Sequence, residues 1–201
     1  MNTTASTGQS GDELASQFQP GGKLQRSRNA KGDALKNRTD QTATGRTHPL
    51  AYVLVGGLVV GTIDIVFAMT FWAWWADVPA FRVLQTVAAG LLGTASFNGG
   101  PETAMLGLAL HFAIALTIAV AFYIAARSWP VLWKHATEAG IAYGFFLYGI
   151  MNHVVVPLSA APGGETDTVW VVFNVFVHVL FIGVPIALFV RQGLQQWRSE
   201  A

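Results

Sequence analysis

Four stretches dominate the chain from Leu50 onward, and each is long enough to cross a lipid bilayer. They run from about Leu50 to Trp75, Thr103 to Ala126, Ala139 to Leu158 and Thr168 to Val190, and a single charged residue, Asp64, falls inside them. A hydrocarbon core of about 30 Å takes about 20 helical residues to span. Hydrocarbon offers backbone N–H and C=O groups no water, so uninterrupted runs of this kind satisfy themselves as helices. The expected fold class is therefore all-α: a polytopic membrane protein with a four-helix transmembrane bundle over residues 49–191.

The rest of the sequence differs in kind. Apolar residues make up 52% of the whole chain and charged residues only 11%, yet nearly half of the charge lies before Pro49. Residues 1–48 are rich in Ser, Thr, Gly, Asn and Gln, carry seven Lys or Arg and four Asp or Glu, and show no apolar periodicity. Such a segment is expected to be a disordered cytoplasmic tail. It lacks an apolar run after its basic residues, so it does not read as a signal peptide. Without interleaved aromatics and with a basic excess of only three, it is a poor nucleic-acid binder, although anionic lipid headgroups suit its basic stretch. Residues 192–201 form a second, short cytoplasmic tail. The absence of cysteine excludes disulfides, iron–sulfur clusters and thiolate metal sites.

Between the first two spans lies "AFRVLQTVAAGLLGTASFNGGPE". Phe81, Leu84, Ala88, Leu91 and Ala95 fall on one helical face opposite Arg82, Gln85 and Thr86. That spacing predicts an amphipathic helix over about 80–97, lying in the interface or partly re-entrant and stopped by Asn98-Gly99-Gly100-Pro101. The basic residues then set the orientation. Arg127 and Lys134 follow the second span and Arg191 and Arg198 the fourth, whereas Arg82 is the one cation on the opposite side. By the positive-inside rule both termini are cytoplasmic, and Trp72, Trp74, Trp75 and Trp170 belong to the outer aromatic belt.

Polar side chains within the spans carry the functional argument, because each needs a partner or a wet cavity. They are Asp64, His111, Asn152, His153, Asn174 and His178. Counting a rise of about 1.5 Å per residue along spans of alternating direction puts Asp64 and His178 near mid-depth. The same count puts His111 and His153 about 5 to 7 Å nearer the outer face. All six converge on one half of the bilayer. Small residues accompany them on the same helical faces, with Gly57 and Gly61 below Asp64, Gly107 and Ala115 flanking His111, and Gly149 one turn before His153. Interhelical hydrogen bonding alone would account for any one of the imidazoles or amides. A carboxylate at mid-depth asks for more.

Three functional readings follow. The first is a metal site in which Asp64, His111, His153 and His178 ligate a transition metal, or a b-type haem held axially by His111 and His178 from diagonal spans. The second is proton or ion translocation through the carboxylate and the imidazoles. The third is a non-catalytic accessory or scaffold subunit whose polar cluster fixes helix register. Hydrolase chemistry has no support, since neither GxSxG nor HExxH occurs. The expected partners are the lipid bilayer and a homo-oligomer or larger membrane complex, without nucleic acid.

The motifs "GGLVVGTIDIVFA", "LHFAIALTIAVAFYIAAR" and "YGIMNHVVVPLSA" resemble those of small, uncharacterised bacterial inner-membrane proteins with four predicted spans. The resemblance covers about residues 50–190. It implies a helical bundle in a bacterial cytoplasmic membrane and carries over no functional residues.

Overall fold

The computed structural model describes residues 48–163 and 167–199, together with Asn29 and residues 31–33. Asn29 and residues 31–33 are helical. The remainder of the expected disordered tail lies outside the described residues, as do residues 200–201.

Helix α1, Pro49–Ala76, begins where the Nδ1 of His48 accepts the Leu50 N–H and Pro49 occupies the first turn, whose N–H groups have no helical partner in any case. It stops at Asp77, whose φ of 51° is left-handed, and Pro79 follows. Helix α2, Ala80–Leu92, continues as a 3₁₀ helix over Gly93–Asn98. Helix α3 is Gly100–Ser128, followed by the short α4, Pro130–Lys134. Helix α5, Ala136–Ile150, widens into a π turn over Met151–Val155 and ends as α6, Val156–Leu158. Helix α7, Thr168–Val177, widens likewise over His178–Gly183 before α8, Val184–Ser199. No strand occurs among the described residues.

The described residues are thus all-helical, and among them are five helices long and apolar enough to cross a membrane rather than four. The additional one is Ala80–Asn98, the segment whose spacing predicts an interfacial helix. The 3₁₀ extension carries it to 19 residues, which gives it the length of a span. Its outer surface is lipid-like too. Phe81, Leu91 and Leu92 are exposed, as are Leu54, Leu58 and Val66 on α1 and Phe145, Phe146 and Phe176 on the later helices. An apolar exterior over long helices is the pattern of a multi-pass membrane protein.

Close contacts fix the helix directions. On α1 and α3, Gly57 meets Leu116 and Ala119 while Gly61 meets Phe112 and Ala115, so these helices run antiparallel. On α1 and α8, Gly56 meets Phe189 and Tyr52 Oη donates to Gln196 at 2.6 Å, and at the other end Phe71 packs on Trp170 and the Trp75 indole donates to Asp167 at 2.9 Å. On α5 and the last helices, Gly140 meets Val184 and Gly144 meets His178 and Val179. The ends bearing Pro49, Ser128, Ala136 and Ser199 therefore lie together, and with them Arg127, Lys134, Arg191 and Arg198. Ala76, Gly100, Leu158 and Thr168 lie at the opposite end.

In hydrocarbon, lipid tails solvate an exposed Leu as well as another helix would, so association rests on close van der Waals fit. Small side chains supply it here. Ala119, Ala126 and Ala187 are fully buried between Val53, Val60, Ile186 and Val190. Glycines at the crossing points bring backbone against backbone. A Cβ on Gly140 would stand 2.7 Å from the Val184 Cα, and one on Gly107 would run into the Leu84 carbonyl.

Both π turns have the same cause. Pro157 has no N–H for the His153 carbonyl, and Pro185 has none for that of Phe181; each ring also crowds the carbonyl four residues back. The turn before each proline opens, and the Val156 N–H bonds the Met151 carbonyl while the Val184 N–H bonds the Val179 carbonyl, five residues back in each case.

Candidate functional site

The two widened turns and the helices facing them enclose a cavity of about 590 Å³. Every long helix contributes a wall. Asp64 and Trp72 come from α1, Thr86 and Val87 from α2, His111 and Ala115 from α3, Asn152 and Val156 from the end of the third span, and Trp170, Asn174 and His178 from the fourth. Five of the six polar residues singled out in the sequence therefore line one space. His153 does not. Its Nδ1 donates to the Gly149 carbonyl at 3.1 Å and its side chain is exposed on the outer surface of the bundle.

That placement corrects the four-ligand reading. The widened turn adds a residue between Tyr148 and Val156, so the face counted at 3.6 residues per turn is not the face His153 occupies; its neighbour Asn152 enters the cavity instead. Among the described residues no group of three or more His, Asp or Glu side chains stands close enough to hold a metal ion. Asp64, His111, His153 and His178 do not assemble as a ligand set.

What the geometry does bring together is one carboxylate and two oriented imidazoles. Asp64 is within electrostatic reach of both His178 and His111. The Nε2 of His111 donates to the Gly61 carbonyl at 2.8 Å, and the Nδ1 of His178 donates to the Asn174 carbonyl at 2.9 Å. A carbonyl only accepts, so each bond fixes where one ring proton resides. The neutral rings then keep a lone pair at Nδ1 of His111 and at Nε2 of His178. Each imidazole has one nitrogen committed to the backbone and one free to accept a proton or a hydrogen bond. The Tyr148 ring stands edge-on to His178 with centroids 5.8 Å apart, which holds the ring plane.

Aromatic rings close the end of the cavity nearest Ala76. Trp72 and Trp170 lie 5.1 Å apart between ring centroids, backed by Phe71. Outside them, Asp167 caps α7 by accepting the Val169 N–H at 2.7 Å. The Trp75 indole and that N–H hold the Asp167 carboxyl below the usual carboxylate range, since both bonds favour the ionised form.

Helix α2 was legible as amphipathic, but its buried side is not the apolar stripe alone: Gln85 is buried beside Val83, Ala88 and Ala89, while Phe81 and Leu91 of the stripe are exposed. Gln85 is fully buried, and its Nε2 donates to the Gly100 carbonyl at 3.1 Å and to Thr103 Oγ1 at 3.2 Å. Arg82 donates to the Phe97 carbonyl at 2.9 Å and covers the Phe97 ring. These bonds lash the 3₁₀ elbow to the start of α3, while the Ala160 N–H reaches the Gly90 carbonyl at 2.9 Å from the far side of the cavity. The signal for the buried Gln85 was the apolar exterior itself: with lipid outside, an amide seeks the interior. Comparison of the chain with protein-family models, with curated proteins and with solved structures returns no match.

Proposed function

We propose that this is an integral protein of a bacterial cytoplasmic membrane that binds a small organic cation beside Asp64, in exchange for a proton. The observation that carries this reading is the cavity in which one carboxylate, two half-free imidazoles and two indoles share walls that are mostly apolar, with Thr86, Asn152 and Asn174 as the further polar groups. A bare carboxylate at membrane depth costs a few kcal/mol on insertion scales, so it is either protonated or paired. A ligand cation is the alternative to the proton. The indoles of Trp72 and Trp170 offer ring faces to the positive charge, and the free nitrogens of His111 and His178 accept hydrogen bonds. Seating the cation expels the Asp64 proton, which the free imidazole nitrogens take up and pass on to water. That exchange is the elementary step of proton-coupled translocation.

In the same reading four helices cross the membrane. Since α1 and α3 are antiparallel neighbours, α2 leaves from and returns to one end of the bundle and is re-entrant. The end bearing Arg127, Lys134, Arg191 and Arg198 faces the cytoplasm, with both termini.

Equilibrium binding of tetraphenylphosphonium to detergent-purified protein tests the site. Binding should strengthen as pH rises, release about one proton per cation, and lose both properties in Asp64→Asn. Binding indifferent to Asp64→Asn would overturn the reading. A Soret band or a stoichiometric metal would replace it with a cofactor held by the same residues. The bond from His111 to Gly61 also favours a second reading, a scaffold subunit whose polar contacts set helix register. Co-purification of a larger membrane partner, with no cation bound, would decide for it.

A further inference from the structure

A second cavity, of about 300 Å³, lies at the other, basic end of the bundle. Arg127 from the last turn of α3 and Arg198 from the end of α8 line it, with His48, Tyr123, Trp133 and Trp197. Among the described residues no carboxylate does. The Trp133 indole N–H is buried and, among the described residues, has no hydrogen-bond partner, a state that costs stability unless a ligand completes it. The Arg198 guanidinium lies over the Trp133 ring at 5.1 Å, which stations the charge at the cavity wall. The Nδ1 of His48 accepts the Leu50 N–H at 3.3 Å, so a neutral His48 presents its remaining nitrogen, Nε2, as a donor.

Two guanidinium groups, an orphaned indole N–H and an imidazole N–H make a set of donors with no matching acceptor. We propose that this cavity binds a phosphate-type oxyanion. Its several oxygens accept from donors arriving from different directions, and its charge offsets two arginines that form no ion pair among the described residues. Exposed Trp129 and Val131 follow Arg127 in the chain and offer an apolar surface beside the site. The phosphodiester of an anionic phospholipid and free phosphate share this chemistry, and the lipid adds acyl chains for that surface.

The test uses full-length protein in dodecyl maltoside at fixed ionic strength, titrated separately with phosphatidylglycerol, phosphatidylcholine and inorganic phosphate, with native mass spectrometry and thermal unfolding as readouts. Phosphatidylglycerol should bind saturably and raise the melting temperature. Trp133→Phe keeps an aromatic ring beneath Arg198 while removing the indole N–H together with the second ring, and should weaken binding about tenfold. Arg127→Gln with Arg198→Gln should abolish it. A response to inorganic phosphate with the same dependence on these variants also supports the site and assigns it to the free ion. Equal binding of phosphatidylcholine and phosphatidylglycerol, affinity unchanged in Trp133→Phe, or no response to either phosphate source would overturn the proposal. Should the double arginine variant fail to fold, Trp133→Phe still decides.

Discussion

Gly144 and Gly183 show how finely single residues set this bundle. A methyl group on either would meet backbone of the opposing helix, and backbone cannot rotate aside as a side chain does. Gly144→Ala should therefore destabilise by about 1–3 kcal/mol or more, since the helices must separate. Gly149→Ala is the control, because nothing lies within 4 Å of the added methyl. It should stay within about 1 kcal/mol of the parent, with helix propensity in its favour. Thermal unfolding in detergent compares the two. Asp167 allows a pH prediction with a definite sign. Its carboxyl is held low by the Trp75 indole and the Val169 N–H, so its stabilising contribution is complete above the unfolded value of about 3.9 and fades as pH falls through the lower folded value. The Trp75 fluorescence environment should change only in that acid range, and the transition should disappear in Asp167→Ala. At this scale the sequence was informative about depth and less so about direction. Asp64, His111, Asn152, Asn174 and His178 do share one cavity, as counting rise per residue suggests, whereas His153 escapes because facing was counted with an unbroken 3.6-residue turn.

Helix α2 is held by one buried amide more than by its apolar residues. Replacing Gln85 with Leu removes two buried hydrogen bonds at the elbow into α3, to the Gly100 carbonyl and to Thr103 Oγ1, and should destabilise by about 1–3 kcal/mol. The local effect is more diagnostic than the global one. A cysteine placed at Ser96, which is buried in the same elbow, should gain reactivity toward a water-soluble maleimide when Gln85→Leu is added, and unchanged labelling would show that α2 is anchored elsewhere. The existence of this helix was readable from its alternating faces, but not which face turns inward, nor its 3₁₀ continuation to Asn98. Amphipathicity reports that two environments differ. It does not say that the apolar one is outside, and in a bilayer it is. The prolines were visible at Pro157 and Pro185, and the widened turns they cause follow from their missing N–H groups; the helix ends at Leu158, one residue after Pro157, whereas only the packed structure shows that the turn before Pro185 lets the helix run on to Ser199.

For the whole molecule, the direction of α2 decides the topology. The chain lacks cysteine, so single cysteines introduced at Asp77, Asn98, Ser128 and Ser199 report cleanly on sidedness. Asp77 and Asn98 should label from one side of intact cells, and Ser128 and Ser199 from the other. Labelling of Asn98 together with Ser128 would mean that α2 crosses and would overturn the four-crossing topology. The apolar runs made the helical membrane architecture plain from sequence, because nothing else satisfies so many residues without charge; the helix count was less secure, since a 19-residue segment meets the length of a span whether or not it crosses. The π turns have a further bearing on how such a chain tolerates change. An ordinary membrane helix that loses one residue turns everything beyond the gap by about 100°, which would unseat half of α1 or α3. Each π turn already holds one residue more than an α-helix needs. A deletion within Met151–Val155 or His178–Gly183 can be taken up by tightening the turn, leaving the flanking faces in register, so these are the places where the chain is expected to survive becoming shorter.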